Sequence, residues 1–173
     1  MIHIVDNLFL SNLQDAMRVR DEVDIVVRLS EDCNKKPIFY DDIEFYNFEL
    51  EDNLLFSKEI IEYSKAIYEL IKNNPDKRIL IHCNEGRSRS VSVIIYYICR
   101  KYHVTYEEAF EIIKKKKSDI GPNEGFANAL RKLFNPGYVS KYYTNLDDML
   151  NQMDEVTYLS EDDENIYSIS QSL

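Results

Sequence analysis

Only four glycines and four prolines punctuate the 173 residues, far too few for a collagen-like chain. Cysteine is scarce too. Cys33, Cys83 and Cys99 are an odd three without C-x-x-C spacing, which argues against a disulfide framework and against a structural zinc site. No stretch approaches the roughly 20 consecutive apolar residues of a membrane-spanning helix. The opening MIHIVDNLFLSN lacks the basic flank and small-residue cleavage site of a signal peptide, and no N-x-S/T sequon occurs. These absences exclude membrane-spanning and secreted classes. The expected location is the cytoplasm, with access to the nucleus open.

Basic residues are absent from one whole region. From Thr144 onward there are eight acids (Asp147, Asp148, Asp154, Glu155, Glu161, Asp162, Asp163 and Glu164) and no Lys or Arg. The other 23 acids stand against all 21 basic residues, a balance of −2 out of the net −10. Residues 1–143 therefore read as one nearly neutral domain. Residues 144–173 read as an acidic tail, expected to be disordered or loosely docked. Neither part shows the basic face of a nucleic-acid binder.

At 45% apolar residues the chain can bury a core. Ile2 to Val5 and Leu8 to Leu10 read as short strands about the turn residues Asp6-Asn7, and Asn12 to Val19 as a short helix. Asp24 to Leu29 and Arg78 to His82 are compact apolar runs that fit buried parallel strands. Ile43 to Leu50 is aromatic-rich and expected to be extended. Apolar residues at Ile60, Ile61, Ile67, Tyr68 and Ile71 have helical spacing, with Ser57 as the expected N-cap and Asn73-Asn74-Pro75 as the stop. Val91 to Arg100 is apolar nearly all round, the mark of a central buried helix. Thr105-Tyr-Glu-Glu108 fits a capping box for a helix to about Lys117, and Asn123 is placed to cap a last helix through Phe134. Strands alternating with helices imply an α/β fold, a mainly parallel twisted sheet flanked by helices.

One segment carries chemistry: His82-Cys83-Asn84-Glu85-Gly86-Arg87-Ser88-Arg89-Ser90, between a buried strand and a buried helix. A tight loop entering a helix N-terminus aims backbone N–H groups at one point, with the positive end of the helix dipole behind them. That is an anion site, and Gly86 supplies the backbone freedom it needs. The G-x-x-x-x-G-K-[ST] pattern of nucleotide binders is missing. Instead the loop begins with a thiol and ends six residues later with a guanidinium. The positive field favours the thiolate at Cys83, placed for attack on phosphorus. Arg89 can hold two phosphoryl oxygens while the geometry turns trigonal bipyramidal. The chemistry expected is covalent catalysis through a phosphocysteine, with no metal or cofactor. The leaving oxygen needs a proton, so a carboxylic acid must reach the loop. Candidates ahead of it are Asp41, Asp42, Glu49, Glu51 and Asp52.

Cys-x5-Arg, here as HCNEGRSRS, resembles the signature of the cysteine-dependent protein phosphatases, in particular the dual-specificity branch. The resemblance extends over about residues 2–134. IVDNLFLSN looks like the family's first strands and TYEEAFEIIKKKKSDIGPNEGFANAL like its C-terminal helices, with Pro122-Asn123 and Phe126 matching a P-N-x-x-F element. It implies Cys83 as nucleophile and Arg89 as phosphate clamp, with Asn84, Glu85, Gly86, Arg87 and Ser88 completing the phosphate-binding loop. Ser90 would hydrogen-bond the sulfur and help it leave. His82 would hold the loop shape and tune the cysteine through hydrogen bonds; a satisfied core histidine is the plainer reading, and both can hold. Asp52, about thirty residues ahead of the cysteine, sits where the family keeps its general acid. Cys33 and Cys99 read as structural.

The implied function is hydrolysis of phosphotyrosine and phosphoserine or phosphothreonine in phosphorylated protein substrates. The chain starts almost at its first strand, which leaves no room for an N-terminal kinase-docking domain. It therefore resembles the small, atypical members, including those encoded by some large DNA viruses. Two features depart from the commoner pattern. Glu85 puts an acid into a phosphate loop, which is tolerable only if it points outward. Arg87 is a second base where phosphoinositide phosphatases of the wider superfamily often have lysine, though its usual companion after the cysteine is here Asn84. A phosphoinositide phosphatase using the same loop, or a non-catalytic phosphate-binding module, are the alternatives. Lys114 to Lys117 read as a solvated last helical turn.

Overall fold

A computed structural model describes residues 1–19, 21–31 and 43–139. Cys33, Asp41, Asp42 and the acidic stretch 144–173 lie outside the described residues. The strands β1 (Ile2–Val5) and β2 (Leu8–Ser11) pair antiparallel about Asp6-Asn7, where Asp6 takes the left-handed conformation that Asp tolerates better than most residues. β2 then runs parallel to β5 (Ile79–His82), β5 to β3 (Ile25–Ser30), and β3 to β4 (Glu44–Glu49). The sheet order is β1-β2-β5-β3-β4, mainly parallel as the alternation of elements implies. β5 lies in the middle. Its last residue, His82, is level with Ser11 of β2 and Arg28 of β3, so three strands present their C-terminal ends together. That edge is where parallel α/β sheets hold ligands.

The apolar runs in β3 and β5 are buried on both faces by their period of two. Ile25, Val27, Leu29, Ile79 and Ile81 join the main core with α2 (Ser57–Lys72), α3 (Arg89–Tyr102), α4 (Tyr106–Lys114) and α5 (Glu124–Phe134). Val26 and Leu80 face the other way, into a smaller cluster with Ala16, Val19, Val23 and Ile43. The sheet is thus covered unevenly among the described residues. Four long helices pack on one face, and the single turn α1 (Leu13–Ala16) with the segment after it packs on the other. Eleven consecutive residues of α3, Arg89 to Cys99, are buried, which makes it the central helix that its composition predicts.

Local signals account for most helix ends. Asn12 caps α1, Asn123 caps α5 by accepting from Phe126 N, and the capping box of α4 is complete, Thr105 N donating to Glu108 Oε2. Ser57, expected as the cap of α2, is instead its first helical residue. A 3-10 turn (Leu54–Phe56) runs straight into α2, and Asn53 caps that turn at Leu55 N. α4 ends at Lys114, short of Lys117: Lys116 Nζ reaches back to the Ile4 carbonyl, and Lys117 Nζ pairs with Asp119 at 2.5 Å. No helix among the described residues is long and apolar enough to cross a membrane.

Candidate active site

The segment between β5 and α3 forms a loop held from outside by backbone bonds. Leu13 N donates to the Asn84 carbonyl at 3.0 Å and Gly121 N to the Arg87 carbonyl at 2.9 Å. Gly86 takes φ 68°, open to glycine at little cost. Its N–H donates to Cys83 Sγ at 3.2 Å, and Ser90 Oγ stands 3.2 Å from the same sulfur. Cys83 is 2% exposed at the end of β5. The Gly86 N–H, and the Ser90 hydroxyl when it turns its hydrogen to the sulfur, can both donate to a thiolate at Cys83.

Arg89, the first residue of α3, is 4% exposed. Its Nη1 donates to the Leu50 carbonyl at 3.0 Å and lies 3.4 Å from Glu31 Oε1, which keeps the fork turned toward the loop. Its Nε is buried and has no hydrogen-bond partner among the described residues. A buried guanidinium N–H without a hydrogen bond costs on the order of 1–3 kcal/mol, which an oxyanion accepting from it would recover.

Asp52 comes in from the turn before α2. Its Oδ1 accepts from Ser88 Oγ at 2.6 Å and from Asn123 Nδ2 at 2.8 Å, and its Oδ2 lies 3.7 Å from Arg89 Nε. The structure thus gathers Cys83, Ser90, Arg89 and Asp52 at one place. Glu49 and Glu51 are exposed to solvent. His82 is fully buried, with Nδ1 3.3 Å from the Cys83 carbonyl. Burial, helped by the charge of Arg28, pushes its imidazole down to about 4, so near neutral pH it is an uncharged hydrogen-bonding group. Cys99 lies in α3, where burial pushes its thiol up to about 12, and it donates to the Thr105 carbonyl.

The two unusual loop residues are exposed and engage each other. The Glu85 side chain is 75% exposed and stands 3.6 Å from Arg87 Nη1, while Arg87 Nε donates to the Asp119 carbonyl at 2.7 Å. Residue spacing did not bring out two further neighbours of the site. Glu31 is legible only as an acid at the C-terminal end of a parallel strand, and Asn123 as a helix cap within the P-N-x-x-F element, without its contact to Asp52.

The chain matches the model of the dual specificity phosphatase catalytic domain over residues 8–135. It is 34% identical over 128 residues to a protein of invertebrate iridescent virus 6 whose name designates a tyrosine phosphatase, covering 73% of this chain and 87% of that one. It is 34% identical to a MAP kinase phosphatase with leucine-rich repeats of Dictyostelium discoideum and 26% identical to human dual specificity protein phosphatase 9. Each of those matches takes in 75% of this chain, but only 16% and 35% of the respective relatives. Among solved structures, human DUSP28 superposes with a TM-score of 0.64 at 20% identity over 76% of this chain and 90% of that one. DUSP15 does so with 0.66 at 19% identity, over 88% and 94%. These likenesses at low identity bear on the fold.

Proposed function

The chain belongs to the dual specificity phosphatase family, and we propose from this premise how its residues divide the work. It is a protein phosphatase that acts on phosphotyrosine and on phosphoserine or phosphothreonine. We take residues 1–143 as the catalytic domain and 144–173 as an acidic extension of it.

In the first step the phosphate dianion of the substrate occupies the loop, two of its oxygens taken by Arg89, one of them at the orphaned Nε. Cys83 Sγ attacks phosphorus as the P–O bond to the substrate breaks. The departing oxygen takes the proton of Asp52, and the dephosphorylated hydroxyl leaves with phosphorus bound to sulfur. In the second step water attacks phosphorus and gives its proton to Asp52. The P–S bond breaks and the thiolate returns to its donors, Gly86 N–H and Ser90 Oγ–H. Inorganic phosphate leaves and Asp52 is protonated again. His82 stays neutral throughout and braces the Cys83 carbonyl.

The observation that supports this reading is the buried Arg89 Nε, without a hydrogen-bond partner among the described residues and 3.7 Å from Asp52 Oδ2, in the residue before the Ser90 hydroxyl that meets the Cys83 sulfur at 3.2 Å. The phosphoinositide alternative draws no support from Arg87, whose guanidinium is engaged by Asp119 and Glu85.

The test is hydrolysis of a small aryl phosphate in EDTA near pH 6, comparing the chain with its Cys83→Ser variant. Turnover lost in the variant, with a phosphorylated Cys83 trapped by rapid acid quench of the parent chain, is the expected result. No turnover in either, with vanadate still bound, would overturn the enzymatic assignment of the loop in favour of a binding module.

A further inference from the structure

Pro122-Asn123 and Phe126 form a sequence element that the two-step chemistry leaves unused. The position of Asn123 gives it work. Its side chain is spent in two directions. Oδ1 accepts from Phe126 N at 3.0 Å and caps α5, while Nδ2 donates to Asp52 Oδ1 at 2.8 Å, 71 positions earlier in the chain. Its own N–H donates to Ser88 Oγ at 3.1 Å, and that hydroxyl donates its hydrogen to Asp52 Oδ1 at 2.6 Å. The three groups close a ring around one carboxylate oxygen. Gly125 makes the approach possible: a Cβ there would lie 2.5 Å from the Leu54 carbonyl oxygen, so α5 lies directly on the backbone two residues past Asp52.

The consequence concerns which oxygen carries the proton. A carboxylic acid holds its proton on one oxygen and offers lone pairs on the other. Oδ1 has two donors on it and is therefore the acceptor oxygen. Oδ2, on the side of Arg89, is left to carry the proton. We propose that Asn123 and Ser88 are positioning residues for general acid catalysis: together they occupy Oδ1 of Asp52 and aim a protonated Oδ2 at the leaving oxygen. This rests on the reading of Asp52 as the general acid. The same arrangement serves the second step, where Oδ2 receives the proton of the attacking water, and no other group has to move. Because α5 and the α3 entry both end on this carboxylate, the acid is placed by the helical layer rather than by its own exposed turn.

The experiment uses Asn123→Ser, which keeps an oxygen to cap α5 while deleting the donor to Asp52. Steady-state kinetics are measured on aryl phosphates of rising leaving-group basicity, from a nitrophenyl to an unsubstituted phenyl ester. Protonation matters little for the first and much for the last. The expected result is a kcat reduced about ten-fold for the phenyl ester and much less for the nitrophenyl ester, with little change in KM. Ser88→Ala is expected to act the same way. In an Asp52→Asn background, Asn123→Ser should change the leaving-group dependence no further, because the group it serves is gone. A uniform loss across the series, or a dependence identical to the parent while Asp52→Asn steepens it, would overturn the proposal. A leaving-group dependence unchanged in Asp52→Asn itself would overturn the general-acid assignment instead.

Discussion

Gly86 rests against the backbone of Ser11: a Cβ on Gly86 would lie 2.5 Å from the Ser11 carbonyl oxygen and 2.8 Å from its carbon. The phosphate loop is therefore pressed onto the end of β2, two residues before α1 begins to hold it through Leu13 N and the Asn84 carbonyl. Loop shape depends on this contact as much as on the residues of the loop. The N–H that Gly86 gives to Cys83 Sγ points correctly only while the chain stays at φ 68° and in that close approach.

Gly86→Ala meets both obstacles at once. The left-handed backbone and the clash with Ser11, which is main chain and cannot swing aside, are expected to cost about 1–3 kcal/mol of stability. Displacing the loop by a fraction of an ångström is expected to lower kcat on the order of 100-fold. Thermal unfolding and aryl phosphate hydrolysis measure the two separately. A variant as active as the parent would show that the loop tolerates another path.

Much of this arrangement is legible without coordinates, and for a definite reason. β3 and β5 read as buried parallel strands because both of their faces are covered, so apolar residues run on without alternation. Cys83 to Ser90 reads as an anion loop because nucleophile, glycine, arginine and hydroxyl are local in sequence. The box at Thr105 and Glu108 is local as well. What escapes is contact between distant elements. Ser57 looked like a cap because nothing nearby reveals that Asn53 already starts a 3-10 turn. Asn123 was legible as the cap of α5. Its second hydrogen bond, to Asp52, depends on how closely α5 sits on Leu54, a matter of packing that no spacing encodes.

Gly125→Ala tests that packing. In an open helix this change stabilises by about 1 kcal/mol, since alanine is the better helix former. Here the new Cβ would meet the Leu54 carbonyl oxygen at 2.5 Å and its Cα at 2.8 Å. The sign should reverse, with a loss of about 1–3 kcal/mol as α5 and the turn separate. Denaturant unfolding gives the sign directly. A more stable variant would mean that α5 is not pressed onto the turn.

Arg89→Lys keeps the charge and loses the fork. The three N–H groups of an ammonium splay from one nitrogen, so it cannot reach the Leu50 carbonyl and present a planar two-pronged fork to a phosphate as well. The expected result is a fall in kcat/KM on the order of 100-fold or more, with the fold retained by circular dichroism. Vanadate affinity should fall with it. Activity close to the parent would show that charge alone holds the phosphate.

His82 sets a pH dependence of stability that can be worked out from its burial. The imidazole lies at about 4 in the folded chain, lowered first by desolvation and further by Arg28, against about 6.5 when unfolded. Between those values the unfolded chain binds the extra proton. The stability that His82 contributes is fully present above pH 6.5 and is lost as pH falls toward 4, by about 3 kcal/mol at most. Asp6, Asp24, Glu44 and Glu107, whose carboxyls are held below their ordinary values by donors such as Lys101, Arg78, Lys77 and Arg131, add their own losses lower, as pH falls through the ordinary carboxylate range. In the interval from pH 6.5 to 5 the part of the slope that His82→Gln removes is therefore the histidine's. Urea unfolding at several pH values in that interval should show stability falling with acid in the parent chain and a flatter profile in His82→Gln, whatever the variant's absolute stability. An unchanged slope would mean that another group takes up the proton.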